Sequence, residues 1–244
     1  MKMLVCVSKT PETTTKIQLT ADKTDLDKGG VQYIMNPYDE WYALVRALEL
    51  KEAGGGSVTI LNVGPADNDS VIRKGLAIGA DDAIRVNSEG GGSLYIAKQI
   101  AAQAEGYDIV FFGKETIDYN GSEVGAMVAE LLGVAYVGEA SHLEMNGNVA
   151  TITRDIEGGV EVVEVSTPLA ISAAKGMAEQ RIPNMRGIMM AKRKPLNVVE
   201  PVDAPSTTEV ASYELPPAKS AVKLIDPENM DELVRLLHEE AKVI

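Results

Sequence analysis

The sequence predicts an α/β protein: a doubly wound parallel sheet with an antiparallel β extension and a C-terminal arm. Three observations support this fold class. Short apolar runs alternate with helical patterns of roughly 10 to 15 residues as far as Gly133, which is the rhythm of βαβ units. Four segments of β character with turn signals follow between 137 and 173. Beyond residue 203 the chain is extended, and it ends in one more helical pattern.

The first half of the chain contains the predicted parallel core. Its strands are short apolar runs bounded by turn residues, at 4–7, 58–63, 83–86 and 109–112. Its helices carry apolar residues at helical spacing, at 39–53, 70–78, 93–105 and 126–132. Gly79 and Gly133 directly follow two of these patterns, as glycines at helix C-termini do. Two further short β segments are expected at 17–19 and 31–35.

The βαβ rhythm breaks after Gly133. We expect four β segments, at 137–143, 149–155, 160–166 and 169–173. Tight turns are expected at Asn146-Gly147 and Gly158-Gly159. We predict that the four segments form the antiparallel extension. One short helix is expected near Met189, and 230–241 reads as helical. The arm, 203–217, and the terminal helix pack either on a partner subunit or on their own domain.

Composition and charge exclude several classes of partner. Hydrophobic residues make up 45% of the chain, which supplies a full core, and the formal net charge is -13 at pH 7. Nucleic acids and anionic membranes need a basic face, so we expect neither as a partner. A single cysteine, Cys6, cannot form an internal disulfide, and neither a signal peptide nor an apolar run of about 18 residues is present. These features predict a cytoplasmic protein without direct membrane insertion.

The sequence offers no set of residues for bond-making catalysis or metal binding. His142 and His238 stand apart from other residues at metal-ligand spacing, and no nucleophile is paired with a base. We therefore expect no catalytic residue and no metal. We expect one of three contacts for the Arg154 side chain: an ion pair with Glu157, an ion pair with Glu161, or a contact across a subunit boundary.

The stretch from 109 to 133 is the most informative about function. A buried strand is followed by a polar, glycine-bounded loop and then by a helix. Open α/β sheets bind ligands at the carboxyl ends of their strands, where this loop would lie. Gly121, Ser122 and Gly125 stand where backbone N–H groups and a helix dipole hold an anion such as phosphate. The alternative is an ordinary βα loop with an N-cap.

Seven blocks, in order along about 1 to 200, resemble the beta subunit of electron transfer flavoproteins. An ordered set of blocks is far more specific than any one of them. The blocks are LVCV at 4–7 with Lys9, MNPYDE at 35–40, NVGP at 62–65, LAIGAD at 76–81, GKETID at 113–118, TRDIEGGVE at 153–161 and IMMAKRKP at 188–195.

The resemblance implies an adenine nucleotide alpha hydrolase-like α/β domain over 1–200, and an arm over 201–244 that packs on an alpha subunit. It also implies a heterodimer in which the alpha subunit holds the redox-active FAD and the beta subunit holds an AMP. Such a pair carries electrons from acyl-CoA dehydrogenases of fatty acid beta-oxidation, or other flavin dehydrogenases, to a membrane quinone reductase. It is an electron carrier rather than an enzyme.

The resemblance also implies roles for individual residues. Thr13 and Tyr38 approach the partner's FAD; for Tyr38 the alternative, less favoured, is an aromatic staple at a helix start. Met185, within a recognition segment at 179–194, enters an apolar pocket on the dehydrogenase; its polar, turn-rich setting favours exposure over burial in the core. The nucleotide site comprises Cys6, Asn36, Asp39, Val63, Asp118, Ser122, Glu123, Val124 and Gly125. As a small residue on a strand, Cys6 is expected to be buried rather than reactive.

The sequence departs from the family pattern in the phosphate loop. Ser122-Glu123-Val124 replaces a commoner Asn- or Thr-Gln-Thr/Val, and a carboxylate at Glu123 is unfavourable beside a phosphate unless it points away or meets a cation. This departure leaves open the flavin-bifurcating subclass, with a second FAD in place of AMP and NADH as donor. A stand-alone adenine-nucleotide sensor is the other alternative, and the arm argues against it.

Overall fold

The computed structural model describes residues 1–219 and 221–244. The first half alternates strands and helices. Its elements are β1 Lys2–Cys6, β2 Thr10–Pro11, β3 Tyr33–Ile34, α1 Asp39–Gly54, β4 Ser57–Gly64, a 3-10 turn at Ala66–Asn68, α2 Asp69–Ile78, β5 Asp82–Asn87, α3 Ser93–Ala104, β6 Ile109–Gly113 and α4 Val124–Leu132.

The second half is mostly β structure and ends in the arm. Its elements are β7 Ala135–Asn146, β8 Val149–Ile156, β9 Gly159–Ser166, β10 Leu169–Ala173, α5 Met185–Ala191, β11 Leu196–Val199 and α6 Met230–Leu236, with a π turn at Leu237–Ala241. Residues 203–217 form neither helix nor strand, in agreement with an extended arm. No helix among the described residues is long and apolar enough to cross a membrane.

Nine strands form one sheet in the order β11-β5-β4-β1-β6-β10-β7-β8-β9. All neighbours are parallel except β7-β8 and β8-β9. The chain runs outward from β1 through β4 to β5, and then returns to place β6 on the other side of β1. The strand order therefore reverses between β1 and β6, which is the topological switch point of a doubly wound sheet.

Helices cover both faces of the parallel core. Along β1, Met3 and Val5 pack into one cluster with residues of α1 and α2, while Leu4 and Cys6 pack into another with residues of α3 and α4. Alternate residues of a strand point to opposite faces, so both faces need apolar side chains, and the strand becomes a continuous apolar run. The predicted doubly wound α/β fold is confirmed.

One prediction about the sheet is wrong. The segment 169–173 is not part of the antiparallel extension, because β10 lies between β6 and β7 and pairs in parallel with both. All five of its residues are buried, which requires helices or neighbouring strands on every side. Only β7, β8 and β9 form the antiparallel extension.

The hairpin turns and the weakest β segments also differ from expectation. The turns fall one residue away, at Gly147-Asn148 and Glu157-Gly158, and Gly147 and Gly158 supply the positive φ (62° and 83°). The segment 17–19 contributes only an isolated bridge between Leu19 and Leu26. Strand β11 was not predicted, because four residues between prolines show no periodicity of their own.

Candidate functional site

A cavity of about 430 Å³ lies at the carboxyl ends of the parallel strands, beside the switch point. This volume falls within the range of small-ligand pockets, and the place is where open α/β sheets bind ligands. The strands supply its floor through residues of β1, β4 and β6 and those directly after β1, namely Cys6, Val7, Ser8, Leu61, Val63, Phe112 and Gly113.

Two loops form the mouth of the cavity. The glycine loop, Gly90–Gly92, precedes α3, and the loop 114–123 connects β6 to α4. Ser93 Oγ donates a hydrogen bond of 2.6 Å to Glu123 Oε1, which joins the first residue of α3 to the position before α4. The Glu123 carboxylate, which we expected beside a phosphate, is therefore held by the Ser93 hydroxyl at the rim of the cavity.

The loop 114–123 is closed on itself and tied to the start of α1. Thr116 N–H donates to Gly121 O at 2.9 Å, and Gly121 N–H donates to Thr116 Oγ1 at 3.0 Å. Asn36 Nδ2 donates to Glu115 O at 3.1 Å. These bonds hold the backbone that leads into α4, whose first N–H groups have no partner within the helix.

Asn36 and Asp39 support this loop from behind. Both are buried, and an Asp39 carboxylate oxygen lies 3.4 Å from Glu115 N. Burial raises the pKa of the Asp39 carboxyl, and the hydrogen bond from Glu115 opposes that shift. We expected them on the second wall of the nucleotide site, but they do not line the cavity and contact the loop from behind it.

Glu40 lies in the cavity wall, and sequence reasoning missed it. Both of its carboxylate oxygens accept from Ser8 N–H, at 2.9 and 3.0 Å, and Ser8 Oγ donates to Oε1 at 2.6 Å. Burial raises the pKa of this carboxyl to about 7, although the bonds from Ser8 oppose the shift. In the sequence Glu40 follows Asp39, and two acidic residues at a helix start are typical of an exposed first turn, where they interact with the helix dipole. This pattern does not indicate that Glu40 is buried in a cavity wall.

A buried amide relay fixes the end of β1. Asn62 Nδ2 donates to Val7 O at 2.8 Å, and Asn68 Nδ2 donates to Asn62 Oδ1 at 2.9 Å. Gly64 makes room for this relay, because a Cβ there would lie 1.9 Å from Asn68 Nδ2. The backbone that forms the cavity floor is therefore held by side chains from the next strand and the turn that follows it.

The structure brings six of the nine predicted nucleotide residues into the cavity wall: Cys6, Val63, Asp118, Ser122, Val124 and Gly125. Asn36 and Asp39 lie behind the loop, and Glu123 lies at the rim. Cys6 is buried, and burial, followed by the nearby Glu40, raises the pKa of its thiol, which favours the neutral form. The binding roles of all nine stay predictions.

A second cavity, of about 540 Å³, lies under the loop 9–33. Thr13 lines it, whereas Tyr38 is half-exposed at the start of α1. Lys9, Asp118 and Tyr119 line both cavities and separate them. Lys9 Nζ is held 2.5 Å from Asp67 Oδ2 and 4.4 Å from the centre of the Tyr33 ring. The two cavities are thus adjacent, with one cation in the wall between them.

Met185 begins α5, and its side chain is 74% exposed, in agreement with the predicted exposure. Asn184 caps the helix by accepting from Gly187 N–H at 2.8 Å. Gly187 packs against α2, since a Cβ there would lie 2.4 Å from Ala77 O. The helix is therefore anchored on one side and presents Met185 and Met189 to solvent on the other. Its role in partner recognition stays a prediction.

The remaining candidates have local partners. Arg154 Nε pairs with Glu161 Oε2 at 2.5 Å, directly across β8 and β9, which is one of the three alternatives. His142 lies 3.1 Å from Glu144, and His238 lies 3.0 Å from Ile244 O, both at the surface. Within 1–219 and 221–244, three or more histidine, cysteine or acidic side chains do not come together as a metal site.

The sheet order places the chain among doubly wound α/β proteins, with a cavity at the switch point of the sheet. The family model described as the electron transfer flavoprotein domain matches residues 25–204. The chain is 36% identical to the electron transfer flavoprotein subunit beta of Bacillus subtilis over 100% of both chains. It is 36% identical to that of Syntrophomonas wolfei, over 93% of this chain and 90% of the relative, and 34% identical to the mitochondrial one of Arabidopsis thaliana over 100% of both. The chain therefore belongs to the electron transfer flavoprotein beta subunit family.

Proposed function

We propose that the chain holds an AMP in the first cavity and forms one wall of a flavin site in a heterodimer with an electron transfer flavoprotein alpha subunit. In this assignment, the alpha subunit holds most of the FAD, and FAD supplies the electron-accepting and electron-donating chemistry when bound. The complex takes electrons from an acyl-CoA dehydrogenase or another flavin dehydrogenase and passes them to a quinone reductase. It works in the cytoplasm.

The observation that supports this proposal is the cavity itself. Its strand-derived floor is lined by Leu61, Val63 and Phe112, which suit the flat faces of a purine. The cavity wall also includes Ser122, Val124 and Gly125 at the start of α4, where the first N–H groups of the helix and its dipole favour an anion. An adenine nucleotide has both an apolar ring face and an anionic phosphate, which match these two parts of the wall.

The adjacency of the two cavities favours a second candidate, the flavin-bifurcating subclass. Lys9, Asp118 and Tyr119 line both spaces, so a dinucleotide such as FAD would extend from the first cavity into the second past a single lysine. In this candidate a second FAD replaces AMP and NADH is the electron donor.

The composition of the purified complex tests these candidates. The chain is coexpressed with its alpha subunit, and FAD and AMP released on denaturation are counted per beta chain. One FAD and one AMP support the first candidate, and two FAD without AMP support the second. An adenine nucleotide on a chain without a partner would indicate a stand-alone sensor. The absence of both flavin and a copurifying subunit would overturn the proposal.

A charge variant locates the nucleotide. Ser122→Asp puts a negative charge at the start of α4, which suits the helix but repels a phosphate. We expect AMP content to fall while the protein stays folded. Asn184→Asp is the matched control, because it adds the same charge at the N-cap of α5, outside the cavity. Equal AMP content in both variants would place the nucleotide elsewhere.

A further inference from the structure

Gln99 clamps the base of the C-terminal arm to α3. Its side chain is buried, at 1% exposure. Its Nε2 donates to Val202 O at 2.9 Å, and its Oε1 accepts from Val202 N–H at 2.8 Å. A primary amide thus satisfies both backbone groups of one residue, as a neighbouring strand would. The arm is fixed to the domain at this point, three residues after β11 ends.

From Val202 the arm crosses the glycine loop. Gly92 N–H donates to Ser206 Oγ at 3.2 Å, and Ser206 Oγ donates to Thr208 O at 2.8 Å. A Cβ on Gly92 would lie 2.1 Å from Thr208 Oγ1, so a larger residue there would force the Thr208 side chain to move. The arm therefore rests directly on the backbone of this loop.

The other side of the same loop faces the cavity. Gly90 and Gly91 line it, and Ser93, the residue after the loop, bonds to Glu123 across the mouth. Three consecutive glycines lose much conformational entropy when they are ordered. The loop needs tethers to keep one conformation, and the arm supplies them from outside.

We propose that Gln99 is a positioning residue for the nucleotide site: by anchoring the arm at Val202, it holds the glycine loop closed over a bound adenine nucleotide. Release of the nucleotide then requires the arm to lift from the loop. This inference rests on the proposed function, because it needs an adenine nucleotide in the first cavity. It also makes nucleotide retention sensitive to any partner that binds the arm.

The rate of AMP release tests the clamp. The coexpressed complex is loaded with radiolabelled AMP and chased with unlabelled AMP. Gln99→Leu removes two hydrogen bonds, so we expect release to become about tenfold faster. Gly92→Ala leaves Gln99 intact but pushes the arm away, and it should also speed release. Gln103→Leu, the same change one turn further along α3, is the matched control and should release AMP at the wild-type rate.

Amide hydrogen exchange gives a readout that a merely structural role of Gln99 would not change. In this proposal AMP binds more tightly when the arm is closed over the loop, and coupling between two binding equilibria is reciprocal, so bound AMP protects the arm. We expect the Val202 and Gly92 amides of the unmodified complex to exchange more slowly with AMP than without it. This measurement needs no variant, so it decides the question even if Gln99→Leu fails to fold.

Two results would overturn the inference while the proposed function stands: wild-type release rates in both Gln99→Leu and Gly92→Ala, or Val202 and Gly92 exchange that is independent of AMP. A wild-type complex that binds no AMP at all would overturn the proposed function, and this inference with it.

Discussion

The Glu40 carboxylate accepts hydrogen bonds from the backbone N–H of Ser8 with both oxygens, at 2.9 and 3.0 Å, inside the wall of the first cavity. This contact joins the first residues of α1 to the chain just after β1. It also removes a carboxylate from water, which raises its pKa to about 7 from an ordinary value of 4.5.

Glu40 should therefore make stability depend on pH. Between pH 4.5 and 7 the folded chain keeps a proton that the unfolded chain has released, so stability falls as the pH rises through this window and is then constant. The whole loss is about 3 kcal/mol. Glu40→Gln cannot ionise, so its advantage over the wild type should grow from pH 4.5 to 7. Urea unfolding, followed by fluorescence of Trp41, the single tryptophan, measures this.

The difference between the two proteins isolates Glu40. Asp39, whose pKa is also raised by burial, is present in both and cancels. Carboxylates with lowered pKa, such as Glu52, lose their contribution only at lower pH. A difference that stays constant from pH 4.5 to 8 would show that Glu40 ionises normally in the folded chain.

Neutralising Glu123 should strengthen AMP binding. Glu123→Gln keeps an acceptor for Ser93 Oγ but removes a negative charge at the rim, near the start of α4. We expect AMP affinity to rise about threefold at low salt, while adenosine, which has no phosphate, is unaffected. Isothermal titration with both ligands measures this. Glu130→Gln, at the other end of α4, is the control; an equal gain there would refute the local explanation.

Met185 should govern the reaction with the dehydrogenase. Met185→Glu places a charge on the exposed apolar side chain at the start of α5, and we expect electron transfer from the dehydrogenase to slow about tenfold with FAD content unchanged. Stopped-flow flavin reduction measures the rate. Met185→Leu keeps an apolar side chain and should stay close to the wild type. An unchanged rate in Met185→Glu would exclude Met185 from the docking surface.

The amide relay should be important for stability. Asn62→Ala leaves Val7 O and Asn68 Nδ2 without their buried partner, which costs about 2–4 kcal/mol. Urea unfolding gives the value. Asn197→Ala, at an exposed position of β11, is the control and should change stability by less than about 0.5 kcal/mol. A small loss at Asn62 would mean that water replaces the relay.

The family resemblance and the parallel core were both readable from the sequence. A strand covered on both faces has to be apolar throughout, so a run such as 109–112 is recognisable as a strand from its own sequence. The glycine after α4 was predicted for a comparable local reason, and Gly133 does adopt the left-handed conformation there. Such features depend on residues close together in the chain.

Tertiary structure alone decided the pairing and the contacts over long sequence separations. The five buried residues of β10 would suit either a hairpin or a central parallel strand, and only packing between β6 and β7 selects the second. Glu40 looks like a solvated helix-start carboxylate until Ser8, 32 residues earlier, is placed against it. In the sequence Gly92 is an ordinary loop glycine, and only the structure shows that the arm lies against it. Local patterns specify which side chains are buried; which distant groups meet is settled only when the whole core closes.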